Sequence, residues 1–231
     1  MSWLADLWAT AAGAAPDFAA GIWMTLRLLF FSTLCGIALS VPLALARVSK
    51  NPLLRLPAYA YSVFFRGTPL IVQIFLIYYG LAQFSFVRDS FLWIFFRESY
   101  PCALIALSLN MTAYVGEVVR GGILSVPNGE REAAVAMGMS PSLLYRRIIL
   151  PRAFGLMLPA LGNEVVIQLK STSLASTITL LDVTGVARRI AAATYQTDPL
   201  FVAAGIYVVL TFLIARVFKY LEGRMNRFQS V

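Results

Sequence analysis

Residues 130–152 read EREAAVAMGMSPSLLYRRIILPR and form a polar, basic segment between two long apolar parts of the chain. Before them, Pro-Asn-Gly at 127–129 predicts a turn, and the acidic side chains from Glu130 onward favour a helix start because they complement the helix dipole. Gly138 is expected to end that helix. The pair Ser140-Pro141 is a second start signal, with a capping hydroxyl and a first-turn proline. The segment therefore predicts two short helices joined by a glycine.

The composition indicates that this segment is a loop of a membrane protein. Of the 231 residues, 59% are hydrophobic and 13% are charged, whereas about a quarter of an ordinary soluble domain is charged. The apolar residues form five blocks, at about 20–46, 58–84, 100–119, 156–183 and 200–218. A spanning helix needs roughly 20 apolar residues, so each block is long enough. We therefore expect an all-α integral membrane protein with five transmembrane helices, built as a single domain over residues 1–231 with a helical core at 19–220.

The basic residues orient these helices. Most of the 19 lysines and arginines fall on one side of the predicted membrane, namely Arg47, Lys50, Arg55, Arg66, Arg120, Arg131, Arg146, Arg147, Arg152, Arg216, Lys219, Arg224 and Arg227. The alternate loops hold only Arg88, Arg97, Arg188 and Arg189. Because positive residues accumulate on the cytoplasmic side, we expect the N-terminus outside and the C-terminus in the cytoplasm. The loop at 123–155 is then cytoplasmic.

Features that the chain lacks exclude several kinds of site. It has no histidine, the commonest general base and metal ligand, and its two cysteines, Cys35 and Cys102, lie in apolar blocks. We therefore expect no catalytic residue and no metal site. There is no glycine-rich phosphate-binding loop ending in Lys-Ser or Lys-Thr, so the chain itself is not expected to bind ATP. The net charge of +8 is expected to face lipid headgroups, and nucleic acid is not an expected partner because no reading motif is present.

The cytoplasmic segment resembles the coupling loop of the permease subunits of bacterial ATP-binding-cassette importers. That loop has the pattern Glu-Ala-Ala, three residues, Gly, nine residues, Ile, one residue and Leu-Pro. Every named position is matched here, by Glu132, Ala133, Ala134, Gly138, Ile148, Leu150 and Pro151. The resemblance implies a type I importer permease fold and assigns these residues to coupling with a separate ATPase. Glu132 and the face formed by Ala133 and Ala134 are expected to sit in the ATPase cleft.

Other phrases narrow the resemblance. Residues 65–70 are similar to the Arg-Gly-Thr-Pro signature of polar amino-acid permeases, with Pro69 expected in a first helical turn and Arg66 at the level of the lipid headgroups. Together with residues 169–174 and 192–196, this phrase makes the chain most similar to the M-type permease subunit of histidine, lysine-arginine-ornithine and opine importers.

This resemblance implies a subunit of a larger machine in the bacterial inner membrane. Its expected partners are a second permease, with a paralogue favoured over a second copy, a cytoplasmic ATPase dimer that binds ATP and magnesium, and a periplasmic solute-binding protein. The solute would be a polar or basic amino acid or an opine, moved into the cytoplasm by alternating access. A passive channel or a non-transporting membrane scaffold is the alternative, although neither requires a coupling loop.

An ionisable side chain inside the membrane usually has a purpose, because burying it is costly. Glu164 is such a side chain, and Gln168 and Ser171, four and seven residues further on, share its helix face. In arginine-type relatives, the position matching Glu164 and an aspartate at the position matching Ser171 help hold a cationic amino acid. We expect Glu164, Gln168, Ser171 and the adjoining Thr172 to bind the substrate. Serine at 171 favours a solute of lower positive charge, or a site completed by a paralogous subunit.

An equally open interpretation of Glu164 is an ion pair with Lys170 or with a neighbour's cation. Glu117 and Asp182 lie nearer the ends of their blocks. Water or loop amides are expected to satisfy those two carboxylates.

Overall fold

The computed structural model describes residue 8 and residues 10–229, without the side chains of residues 226–229, and every regular element in this range is helical. The helices are α1 (Ala15–Val48), α2 (Pro52–Gly67), α3 (Leu70–Phe75, continued by a π turn at Leu76–Gly80 and a 3-10 turn at Leu81–Gln83), α4 (Ser85–Arg88), α5 (Trp93–Phe96), α6 (Ser99–Leu124), α7 (Asn128–Ala136), α8 (Pro141–Leu144, continued by a π turn at Tyr145–Ile149), α9 (Leu150–Ser171, continued by a 3-10 turn at Thr172–Ile178), α10 (Val183–Thr194) and α11 (Asp198–Gln229).

Within the described residues, three helices are long and apolar enough to cross a membrane, namely α1, α6 and most of α11. The pair formed by α2 and α3 makes a fourth if it is counted as one bent span. The helix α9 is not among them, because it carries several polar residues, including Glu164 and Lys170. The all-helical prediction is confirmed, whereas the fifth span and the orientation stay predictions.

The sequence suggested one straight helix for the second apolar block, but the structure has two helices there. The block is bent by 105° between α2 and α3. The cause is local: Thr68 has extended backbone angles, as a residue before proline prefers, and it ends α2. Pro69 is the N-cap residue of α3 rather than part of its first turn. The bend leaves non-helical backbone at Thr68 and Pro69. Together with Gly67, the last residue of α2, they form what we call the elbow (residues 67–69), in which Thr68 is half-buried and the other two residues are exposed.

Side-chain amides satisfy the backbone of the elbow. The Gln73 amide donates to the Phe65 carbonyl at 2.9 Å, to the Thr68 carbonyl at 3.1 Å and to the Thr68 hydroxyl at 2.7 Å. Asn110 of α6 donates to the same Phe65 carbonyl and to the Gln73 amide oxygen, both at 3.1 Å. Irregular backbone is tolerated at membrane depth only where such partners exist. These bonds therefore fix the elbow against α6.

The helix α6 lies at the centre of the bundle and packs against α1, α2, α3 and α9. Its contact with α1 is close because a glycine leaves room: a Cβ added at Gly116 would lie 2.8 Å from Cδ2 of Leu43. Small residues at helix crossings allow this approach in membrane bundles. A continuous apolar cluster runs from this contact to the loop after α6, through Val119, Ile123 and Ala153.

The loop after α6 has the two predicted helices, with one difference at its start. Asn128 and Gly129 already belong to α7, so the expected turn at 127–129 is wrong, and Pro127 is the N-cap residue instead. Gly138 ends the helix with φ of 77°, in the left-handed region that glycine adopts most readily. The Ser140 hydroxyl caps α8 by accepting the Leu143 N–H at 3.4 Å.

Candidate functional site

A cavity of about 470 Å³ lies between the elbow, α6 and α9. Its polar lining consists of Arg66, Thr68, Asn110, Tyr114, Glu164, Gln168 and Ser171. The structure thus brings together three of the four predicted substrate residues, because Glu164, Gln168 and Ser171 share one face of α9. Leu70, Met111, Ile167 and Leu174 supply apolar walls.

Thr172 does not line this cavity, contrary to the prediction. Its side chain is fully buried, and its hydroxyl donates to the Leu169 carbonyl at 2.7 Å. The next position along a helix points about 100° away from its neighbour, so Thr172 faces the core where Ser171 faces the cavity.

Gln168 has a structural role in addition to its place in the lining. It is only 3% exposed, and its amide nitrogen donates to the Ser32 hydroxyl at 2.9 Å and to the Leu107 carbonyl at 3.1 Å. These two bonds tie α9 to α1 and α6. The amide oxygen is the Gln168 atom that is left for a solute.

The Glu164 carboxylate forms neither a hydrogen bond nor an ion pair with any other described residue. The alternative pairing with Lys170 is therefore not found. The charged group whose field reaches Glu164 is the guanidinium of Arg66, which lines the same cavity. The cavity thus contains an acid and a base that do not neutralise each other by direct contact.

Arg66 was expected at the lipid headgroups; it lines the cavity, and its depth in the membrane stays a prediction. Its Nη1 lies 3.8 Å from Oε2 of Glu117, and its guanidinium carbon lies 5.5 Å from the centre of the Tyr114 ring. The signal for this placement is the break at Thr68-Pro69, which turns the end of α2 toward α6.

Glu117 is held by three arginines rather than by water or loop amides, so that expectation is also wrong. Arg47 of α1 donates to Oε1 through Nη2 at 2.9 Å and through Nε at 3.0 Å, and Arg120 Nε donates to Oε2 at 2.9 Å. Arg66 is the third and most distant partner. Only Arg120, three residues further along α6, could have been paired with Glu117 from the sequence.

The expectation for the other end-of-block carboxylate is confirmed. Asp182 caps α10 by accepting the Gly185 N–H at 2.9 Å, and it also accepts the Tyr207 hydroxyl at 2.9 Å.

The coupling loop presents a different face from the one expected. Glu132 and Ala133 are exposed, but Ala134 is 2% exposed and packs into the core of the chain. Val135 and Met137, by contrast, expose 62% and 77% of their surface. The outward face therefore combines one carboxylate with two large apolar side chains, and Ala134 is not part of it.

The rest of the predicted coupling pattern lies behind this face. Ile148 and Leu150 are half-buried, and Pro151 is exposed. Ile148 and Pro151 line a second cavity of about 650 Å³ next to an ion pair of 3.0 Å between Arg152 Nη2 and Glu130 Oε1. That ion pair connects the first turn of α7 to the start of α9.

Comparison with known proteins identifies the family. The family of binding-protein-dependent transport system inner membrane components matches residues 36–227. The chain is 52% identical over 203 residues to the octopine transport system permease protein OccM of Rhizobium radiobacter, covering 87% of this chain and 83% of that protein. It is 43% identical over 206 residues to the histidine/lysine/arginine/ornithine transport system permease protein HisM of Escherichia coli (strain K12), covering 88% and 87%.

Solved structures share the fold. A chain from the crystal structure of an amino acid ABC transporter with histidines has a TM-score of 0.83 and 34% identity, with coverage of 93% of this chain and 97% of that one. A chain of the MetNI methionine ABC transporter in an inward facing conformation has a TM-score of 0.79 at 19% identity, covering 92% and 97%. The predicted permease fold is confirmed. The chain belongs to the family of binding-protein-dependent transport system inner membrane components and is the non-catalytic, multi-pass permease subunit of an ATP-driven importer.

Proposed function

We propose that the solute of this importer is a polar or basic amino acid or an opine, and that it crosses the membrane through the cavity between the elbow, α6 and α9. The observation that carries the proposal is the pair of opposite charges in that cavity, Glu164 and Arg66, which form no ion pair with each other. The cavity volume of about 470 Å³ falls within the usual range for small-molecule sites. The relatives named for octopine and for histidine, lysine, arginine and ornithine support this class of solute.

Within the cavity, Glu164 is proposed to bind the positive group of the solute. Ser171 and the amide oxygen of Gln168 would add hydrogen bonds on the same helix face, and Thr172 would support the wall from behind. A single carboxylate matches a solute with one net positive group or none, since a fixed guanidinium normally prefers paired acceptors.

We propose that α9 is the fifth spanning helix, with the N-terminus of the chain outside and the C-terminus in the cytoplasm. Support comes from the placement of its polar residues, because Glu164, Gln168 and Ser171 face the cavity instead of lipid. A helix that lines a polar cavity does not need the hydropathy of one surrounded by lipid. The unequal distribution of arginine and lysine supports the orientation.

The coupling loop is proposed to dock on the ATPase through Glu132, Ala133, Val135 and Met137. ATP and magnesium are bound by that partner. Gly138 would set the angle between α7 and α8, and Ile148, Leu150 and Pro151 would join the loop to α9. We further propose that the second permease is a paralogue, that the ATPase is a dimer and that a periplasmic binding protein delivers the solute.

Purification of the native complex through this chain tests the proposal. The copurifying subunits are identified by mass, and ATPase turnover is measured with arginine, histidine or octopine together with the binding protein. A paralogous permease, an ATPase and stimulation by one of these solutes are expected. If the complex assembles but none of these solutes stimulates its ATPase, the proposed solute class is contradicted. Solute flux through the chain alone, without ATP, would instead support a passive channel.

A further inference from the structure

We propose that Arg66 binds the carboxylate of the solute and thereby makes the cavity selective for molecules with a free carboxylate. This inference rests on the proposed transport of amino acids or opines, and it assigns a binding residue to the carboxylate end of that solute. Glu164 is the carboxylate that lines the cavity, and Arg66 is the cation that lines it.

The backbone of Arg66 is held in place, whereas its guanidinium contacts Glu117 only at 3.8 Å and lies over the Tyr114 ring at 5.5 Å. The Phe65 carbonyl next to it accepts the Gln73 and Asn110 amides at 2.9 Å and 3.1 Å. The Arg66 side chain is 45% exposed and, within the described part of the chain, its guanidinium donates no hydrogen bond. An anchored backbone and a guanidinium fork whose N–H groups donate no hydrogen bond suit a carboxylate ligand, since both oxygens can be bound together.

The charges around Arg66 also favour an added anion. Glu117 already accepts hydrogen bonds from Arg47 and Arg120 at 2.9 Å, whereas Arg66 stays at 3.8 Å, beyond hydrogen-bond distance. One carboxylate therefore faces three guanidinium groups in a half-buried site. A second carboxylate, brought by the solute, would reduce the repulsion among the three cations.

The opposite charges of Arg66 and Glu164 would fix the orientation of the solute within the cavity. Its carboxylate would contact Arg66 beside the elbow, and its ammonium or cationic side chain would contact Glu164 on α9. A carboxamide of the same solute keeps the positive end and nearly the same shape but loses the anion. Because hydrogen bonds to charged groups contribute about 1.5–3 kcal/mol, a preference for the acid of about tenfold to a hundredfold is expected.

The test measures equilibrium binding to the purified permease–ATPase complex without binding protein, so that the specificity of the binding protein does not contribute. The probes are L-arginine with L-argininamide and L-histidine with L-histidinamide. In the unaltered complex the acid should bind at least tenfold more tightly than its amide. Arg66→Gln should weaken binding of the acid alone and bring the ratio near one, and Arg66→Lys should retain part of the preference because it keeps the charge.

The matched control is Arg120→Gln. Arg120 contacts the same Glu117 carboxylate at 2.9 Å but does not line the cavity. This variant should keep the preference for the acid. An equal affinity of the unaltered complex for acid and amide, or an unchanged ratio in Arg66→Gln, would overturn the role of Arg66 while leaving amino-acid transport standing. If neither acid nor octopine binds, the proposed solute class fails together with this inference.

Discussion

Gly36 of α1 lies directly against Met111 of α6, so close that a Cβ added at Gly36 would be 2.5 Å from the Met111 Cγ. Real Cβ atoms do not approach another carbon this closely, so even alanine requires the two helices to separate. Gly36→Ala is expected to cost about 1–3 kcal/mol, the usual effect of overpacking. The thermal unfolding midpoint of the purified complex in detergent should fall accordingly.

Gly121→Ala is the matched control for this change. Gly121 lies in α6, the helix against which Gly36 packs, but no atom outside its own helix is within 4 Å of the added Cβ. The thermal unfolding midpoint of Gly121→Ala should stay the same or rise slightly, because alanine has a higher helix propensity than glycine. Equal losses in the two variants would show that the approach of α1 to α6 does not limit stability.

A second prediction concerns the junction between α7 and α8. Gly138 has φ of 77°, which costs about 1–2 kcal/mol for a residue with a side chain, although no neighbour blocks the space. Gly138→Ala should therefore alter the loop conformation and lower solute-stimulated ATPase activity. Gly129→Ala, in the first turn of α7 and likewise without a close neighbour, should leave that activity unchanged. Full stimulation of the Gly138→Ala complex would refute a conformational role for this glycine.

Charge reversal on the exposed face of α7 tests the docking surface. Glu132→Lys leaves the core intact because Glu132 is exposed, so the chain should insert and assemble with its partner permease. We expect the solute-dependent ATPase activity to be abolished. Asp89→Lys makes the same charge change at an exposed position in a loop predicted on the opposite side. If the complexes with Glu132→Lys and with Asp89→Lys both keep solute-dependent ATPase activity, the exposed face of α7 is not the docking surface.

Replacing Glu164, the carboxylate of the cavity, tests solute binding separately from assembly with the ATPase. Glu164→Gln keeps the shape of the side chain and should weaken transport of a cationic solute about tenfold or more, because a charged contact is lost. Copurification of the ATPase should be unaffected. Glu98→Gln is the control, since Glu98 is exposed and pairs with Arg97 away from the cavity. Unaltered transport in Glu164→Gln would remove Glu164 from the solute path.

The parts of the fold that sequence reasoning predicts correctly are those with local signals. The two helices of the coupling loop follow from Ser140, Pro141 and the acidic residues near Glu130, all of which act within one helical turn. The polar face of α9 follows from the helical period alone. These features need no knowledge of how the helices pack.

The errors arise where distant segments meet. Glu117 and Arg47 are 70 residues apart, so their hydrogen bond follows only from the crossing of α1 and α6. Ala134 and Ala133 are both small and apolar, and the sequence does not tell which one the bundle covers. Thr172 lies next to Ser171 in the chain, but the helix turns it into the core. In each case the deciding fact is the packing of a neighbouring helix.

The burial of Ala134 attaches the coupling helix α7 to the core of the helix bundle. Ala134 of α7 is part of the same apolar cluster as Ile149 and Ala153, while the other side of the helix is exposed to solvent. The helix is therefore attached to the bundle at both of its neighbours: the Arg131 guanidinium donates to the Ile123 carbonyl at the end of α6, and Glu130 pairs with Arg152 at the beginning of α9. A displacement of α7 would reach the helix that carries Glu164 through this cluster and through the ion pair between Glu130 and Arg152.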